Sequence, residues 1–311
     1  MSATSPTVVA QLVETMRTLA GRHPGFRAVH AKGLVCTGTF RGMPEARMVS
    51  RARHLQGDTI PTVIRFSNAS GDPGISDGIP NPRAIAVKFQ LPGGKSTDVL
   101  ALSVEGFPGR TPEEFLAFLQ AQLPDPVTGK PAPDAVGRFL ERHPATGAFL
   151  EGLGRKPVPA SYGQATYYAE HAFKFTTTDG KSRFGRYRWV PEAGEAFLSP
   201  DDARKLSANF LREEMEKRLQ KGPVVFRLRL QLAEDDDPTN DPNALWPATR
   251  TLVDLGQLEI TAISATVAAD EARLVFDPAN VVDGIDLSDD PFPLARSAAY
   301  SISYEHRSKR E

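Results

Sequence analysis

Apolar positions recur along this chain with two different periods. Near the N-terminus Val8, Val9, Leu12, Met16 and Leu19 return at three- and four-residue steps, the spacing of one helix face. Ser5-Pro6 opens that run and Gly21 closes it. From Phe26 to about Lys88 the texture changes to short segments rich in β-branched and aromatic residues, punctuated by Gly and Pro. Residues 27–40, 62–68, 83–91 and 97–104 read as strands. Residues 111–154 turn helical again, opened by a threonine cap at Thr111, Pro112 at the first helical position and acids at Glu113 and Glu114. Residues 171–190 read as a hairpin across Asp179-Gly180. A helix is expected over about 199–221, capped by Ser199 and ended by Gly222. Strict alternation follows, with Phe226, Leu228, Leu230 and Leu232 on one face and Arg227, Arg229 and Gln231 on the other. Residues 257–267 form a further strand. The tail has no Gly or Pro after Pro293 and predicts a terminal helix over about 293–309. Two strand groups flanked by helices, with no linker between them, point to closed or nearly closed antiparallel β with helical additions.

Bulk properties narrow the class. A chain of 311 residues can bury a large core without staples, and a single cysteine, Cys36, excludes an internal disulfide. The formal net charge of −1 gives no overall pull towards nucleic acid. The first 21 residues lack a basic start and a continuous apolar run, and no stretch approaches the ~20 apolar residues of a membrane span. The expectation is a soluble, cytoplasmic protein.

Candidate chemistry begins on the terminal helix. Arg296 and Tyr300 are four residues apart, hence on one face. A guanidinium beside a phenol favours the phenolate, and phenolate is a known axial ligand of haem iron. Tyr304 shares that face but has no arginine four residues before it. His23, His54 and His143 show no ligand spacing, and the acidic run Asp235-Asp236-Asp237 reads as a solvated turn.

The order of motifs gives the pair its meaning. Residues 27–33 read R-x-V-H-A-K-G, residues 65–67 read R-F-S, and residues 82–89 carry P-R followed by A-V-K-F. Residues 276–285 read F-D-P-x-N-x-x-x-G-I, followed by Arg296, Tyr300 and a further arginine at Arg307. His171-Ala172-Phe173-Lys174 and Leu245-Trp246-Pro247 lie between. In this order the motifs resemble those of the haem catalases. The resemblance implies an α+β fold built on an antiparallel eight-stranded β-barrel: residues 1–25 an N-terminal helix, 26–311 one haem-binding domain. It implies haem b held by Tyr300, with Arg296 as the charge partner of that ligand. It implies His30 as the distal acid–base histidine and Ser67 as the hydroxyl that fixes its tautomer. Arg27, Arg65 and Arg307 correspond to arginines that bind the haem propionates, a task that suits guanidinium forks. His171 and Asp290 correspond to a pair behind the proximal ligand. Ala69 corresponds to a small residue narrowing the channel, and Phe115 to a ring on the distal haem face.

The chain departs from that pattern where a G-N-N-T-P motif should follow Asp98. It reads Val99-Leu100-Ala101-Leu102-Ser103 instead, so the distal asparagine is missing and Ser103 falls nearest its place. The chain is also short for a catalase. Both features favour a peroxidase acting on hydrogen peroxide or organic hydroperoxides with a small organic reductant, with weak or no catalase activity. The alternatives are a true catalase, an enzyme rearranging fatty-acid hydroperoxides, and a haem-binding protein without turnover. A homodimer is the assembly the resemblance implies.

Overall fold

The computed structural model describes residues 4–125 and 127–308; residues 1–3, 126 and 309–311, including the expected last residue of the terminal helix, lie outside them. The chain runs through α1 (Pro6–Ala20), β1 (Gly33–Gly42), β2 (Thr59–Asn68), β3 (Arg83–Gln90) and β4 (Ser96–Leu102). A helical insertion follows, α2 (Pro112–Gln120), α3 (Ala135–Arg142) and α4 (Pro144–Gly154). Next come β5 (Val158–Pro159), β6 (Tyr167–Tyr168), β7 (Phe173–Thr176), β8 (Ser182–Pro191), β9 (Phe197–Leu198), α5 (Pro200–Lys205) and α6 (Phe210–Leu219). The chain ends with β10 (Val224–Leu232), β11 (Leu252–Ile263), α7 (Val267–Arg273), β12 (Ile285–Leu287) and α8 (Phe292–Ser308).

The main sheet runs β10-β11-β1-β2-β3-β4-β6-β8, and β8 pairs back with β10, so eight antiparallel strands close into a barrel. Closure leaves no free edge around the ring. β7 and β12 extend the sheet beside β8. The interior is filled with aromatic rings: Phe40 meets Phe89 edge-on at 5.0 Å, and Phe66 stacks on Tyr162 at 5.1 Å. A barrel of this size is a packed core rather than a pore.

Register on the outside of the barrel creates one contiguous patch. Across β1–β4, Gly33 pairs with Ser67, Ser67 with Ala84, and Ala84 with Leu102. Two residues along, Arg65 pairs with Ala86 and Ala86 with Leu100. Paired residues point to the same side, and alternate residues to the other. Ile85, Val87, Val99 and Ala101 therefore enter the core, while Ala84, Ala86, Leu100 and Leu102 line a half-buried outer wall. Alanines at two of those positions leave room above it.

Helix α8 faces this wall. Ala295 and Ala299 are buried against Val9 and Val13 of α1, with Ile302 alongside. Ser297 Oγ donates to Asp277, whose backbone N–H bonds Asp98, and Asp98 also receives Lys88 from β3 at 2.6 and 2.7 Å. That chain of bonds ties the helix to the barrel.

Four expectations need correcting. Residues 27–32 are not strand; β1 begins at Gly33, and His30 takes a left-handed backbone with φ 57°. The expected helix over 199–221 is two helices, because the loop before β3 competes for its backbone: Asp77 N–H takes Ala208 O, Asp77 Oδ2 takes Leu211 N–H, and Lys32 Nζ also reaches Ala208 O. The helical stretch 111–154 is broken between α2 and α3 and again at His143-Pro144. The strand expected over 257–267 stops at Ile263, and residues 267–273 form α7 instead.

Candidate active site

A partly open cavity separates the outer wall of β2–β4 from α8. On the barrel side it is lined by Arg27, His30, Arg65, Ser67, Ala84, Ala86, Leu100 and Leu102, and on the helix side by Arg296, Ala299, Tyr300, Ser303 and Arg307. The helix positions recur at three- and four-residue steps and form one stripe. Met16 of α1, Glu170 and Phe276 also line it.

His30 is held from two points on β2. Ser67 Oγ meets its Nδ1 at 3.1 Å, and Arg65 Nη2 donates to its carbonyl oxygen at 2.7 Å. Nε2 makes no hydrogen bond among the described residues, so it is the free nitrogen of the ring. Arg65 reaches His30 by crossing β1 at Gly33, where a Cβ would stand 2.2 Å from the guanidinium. Burial, with the charges of Arg65, Arg296 and Arg27, pushes His30 down to about 3, so its imidazole is neutral at physiological pH.

Tyr300 is held by a chain of donors on the other side. Arg296 Nε and Nη2 both donate to Tyr300 Oη, at 3.0 and 2.8 Å. Arg296 Nη1 donates to His171 Nε2 at 2.8 Å. A guanidinium has no acceptor, so His171 Nε2 accepts and the ring proton sits on Nδ1, which donates to Asp290 Oδ2 at 2.7 Å. Asp290 Oδ1 in turn receives Phe292 N–H at the first residue of α8. Arg296 Nη1 also lies 3.3 Å from Glu170 Oε2. Burial alone pulls Arg296 down, but Tyr300 and Glu170 outweigh it and its pKa is raised.

At the end of the cavity Arg27, Arg65 and Arg307 converge. Arg27 and Arg307 donate to the same carbonyl, Leu274 O, at 2.9 and 2.6 Å. Glu271 of α7 receives Arg65 Nε at 2.8 and 2.9 Å and also pairs with Arg27. Burial, with the charges of Arg65 and Arg307, brings Arg27 down to about 9 against the pull of Glu271. Three guanidinium groups against one carboxylate leave two positive charges facing the cavity.

The structure thus brings together His30, Ser67, Arg27, Arg65, Arg296, Arg307 and Tyr300, with His171 and Asp290 behind them. Three expected residues stand apart. Ser103 Oγ accepts Arg83 N–H at 2.9 Å and faces a separate, smaller cavity. Ala69 donates its N–H to Asn81 Oδ1 and is not in the lining of the main cavity. Phe115 packs on Phe107 at 4.9 Å and on Phe292 at 6.4 Å, beside the start of α8 rather than on the cavity wall. Sequence reasoning gave no task to Glu170, Glu271 or Gly33; the available signals were the adjacency of Glu170 to His171 and the place of Gly33 at the end of R-x-V-H-A-K-G.

The fold is that of the catalases. A bacterial catalase superposes with a TM-score of 0.81 at 21% identity, covering 96% of this chain and 60% of that one. Catalase A from Saccharomyces cerevisiae gives 0.81 at 20%, covering 95% and 64%. The sequence carries the relationship further. The catalase family model matches residues 6–310, and the chain belongs to the catalase family. A catalase-related peroxidase of Mycolicibacterium paratuberculosis is 41% identical over 298 residues, 96% of this chain and 94% of that protein. One of Synechococcus elongatus is 34% identical, covering 96% and 88%. Catalase-2 of Bacillus subtilis is 27% identical, covering 88% of this chain but 43% of that protein. In length, then, the chain matches the catalase-related peroxidases. Among the described residues no helix is long and apolar enough to cross a membrane.

Proposed function

We propose that this chain is a haem peroxidase that reduces hydrogen peroxide or an organic hydroperoxide with an organic electron donor, with little catalase activity. The observation that carries the proposal is one cavity with a held imidazole on one wall and a held phenol on the other. The residues fit haem b. Alanines on the barrel wall leave space for a flat ring, and the two surplus positive charges of the arginine cluster match two propionates. Tyr300 would ligate the iron, Arg27, Arg65 and Arg307 would hold the propionates, and residues 26–311 would form one haem-binding unit preceded by a separate N-terminal segment, residues 1–25, that carries α1. Haem bound there supplies the redox centre at which the peroxide bond is cleaved.

The protein's part is to hold charges and move one proton. His30 is neutral, so Nε2 can take the proton of an incoming peroxide. Burial and the charges of Arg65, Arg296 and Arg27 disfavour the imidazolium, so that proton is returned to the departing oxygen. Ser67 keeps Nδ1 occupied and the ring plane fixed. Arg296 directs two N–H groups at Tyr300 Oη and keeps the phenol oriented. Among the described residues the lining contains no asparagine, and Ser103, nearest its place in sequence, is bound to backbone elsewhere. A second peroxide therefore lacks a positioning amide, which disfavours catalase turnover.

Peroxide-dependent dye oxidation by the haem-loaded protein tests the reading. His30→Ala is expected to keep haem and lose roughly 10²–10⁴-fold of that rate. Oxygen release as the main reaction would make the protein a catalase, an isomerised hydroperoxide would make it a rearranging enzyme, and bound haem without turnover would make it a carrier. A cytoplasmic setting suits the buried free thiol of Cys36. Light scattering tests the homodimer.

A further inference from the structure

Arg296 has two carboxylates near it, not one. Asp290 acts through His171, but Glu170 contacts the guanidinium directly. Glu170 and His171 are consecutive residues on the bend between β6 and β7. In an extended strand they would face opposite ways; the bend turns both to Arg296. Glu170 is 3% exposed and belongs to the cavity lining with Tyr300.

As a structural anchor Glu170 is poor. Among the described residues its carboxylate hydrogen-bonds to Arg296 alone, through one oxygen at 3.3 Å. A strong structural Arg–carboxylate pair is commonly bidentate and near 2.7–2.9 Å. Burying a carboxylate for one long bond is costly, and a neutral side chain would fill the space. What Glu170 contributes is charge at a chosen place. Arg296 gives its remaining donors, Nε and Nη2, to Tyr300 Oη. With Glu170 beside it, the guanidinium charge is shared between two anions and less of it opposes the charge on the phenol oxygen.

We propose that Glu170 is a positioning residue that offsets the Arg296 charge and makes Tyr300 a stronger electron donor to the haem iron. The inference rests on the reading of Tyr300 as haem ligand. Groups behind a metal ligand tune the metal in this way. A more electron-rich phenolate favours the ferric state, the resting form a peroxidase needs.

The test is spectroelectrochemical titration of haem-loaded wild type, Glu170→Gln and Glu170→Asp. Gln keeps the shape and an acceptor but loses the charge; Asp keeps the charge but shortens the side chain. The ferrous-to-ferric ratio of Glu170→Gln at a fixed poise is expected to rise at least tenfold, about 59 mV for one electron. Its phenolate-to-iron charge-transfer band is expected to move to shorter wavelength, and Glu170→Asp to stay near wild type. If Gln leaves potential and band unmoved, or Asp disturbs them more than Gln does, Glu170 is only structural and the proposal falls. Should Glu170→Gln fail to hold haem, the smaller neutral Glu170→Ser is expected to show the same shift, and an unmoved potential there overturns the proposal too. A wild-type spectrum without a phenolate band instead removes the reading beneath it.

Discussion

A methyl group at position 33 would stand 2.2 Å from Arg65 Nη2, the nitrogen that pins the His30 carbonyl. Glycine is required there by its neighbour, not by its backbone. Gly33→Ala is expected to displace the guanidinium, cost roughly 1–3 kcal/mol, and speed haem loss. Thermal melting and transfer of haem to an acceptor protein measure the two effects; an unchanged haem off-rate would contradict this role of the glycine. At this scale the sequence was readable wherever a residue's task follows from a short motif. His30 with Ser67 and Arg296 with Tyr300 are such pairs, and both meet as expected. Ser103 was not, because its place was inferred from a motif that the chain lacks, and β3 backbone claims its hydroxyl. Glu271 was invisible because it acts across more than 200 residues of sequence on Arg27 and Arg65.

Among the elements, α8 carries most of the proposed chemistry, and its two sides have separate tasks. One packs on α1 through Ala295, the other presents Arg296, Tyr300 and Arg307 to the cavity, and Ala299 lies between them, touching both. That division follows from the helical period and could be read in advance, as could the alternation of β10. The break between α5 and α6 could not. Residues 199–221 are locally helical, and what interrupts them is Asp77, remote in sequence and buried. Asp77 holds Lys32 Nζ at 2.9 Å, Asn68 Nδ2 at 2.9 Å and Leu211 N–H at 3.0 Å. Asp77→Ala leaves the Lys32 charge with carbonyl acceptors alone and strands Asn68 Nδ2 and Leu211 N–H. It is expected to cost about 3–5 kcal/mol, seen as a lower urea midpoint. A change within experimental scatter would mean that the break has another cause.

For the whole molecule, the barrel core sets a limit on acid tolerance. His54 is fully buried beside Phe89, at 4.6 Å between ring centres, and neither ring nitrogen has a hydrogen-bond partner among the described residues. Burial pushes it down to about 3 from the usual 6.5. Below pH 6.5 the unfolded chain takes up a proton that the folded chain refuses until about pH 3. Stability is therefore full above that range and lost as pH falls through it, by about 2 kcal/mol at pH 5. His54→Leu is expected to flatten the decline in stability between pH 7 and pH 5; an unchanged pH slope would contradict this. The barrel itself was legible from strand texture and motif order together, whereas a lone polar ring inside it leaves no trace in a hydrophobic pattern. The proposed function rests on Tyr300 as the ligand of haem iron. Absorption and resonance Raman spectra of the haem-loaded protein, wild type against Tyr300→Phe, test that ligation most directly. Phenolate-to-iron bands are expected in the wild type and absent from the variant; identical spectra from the two proteins would contradict it.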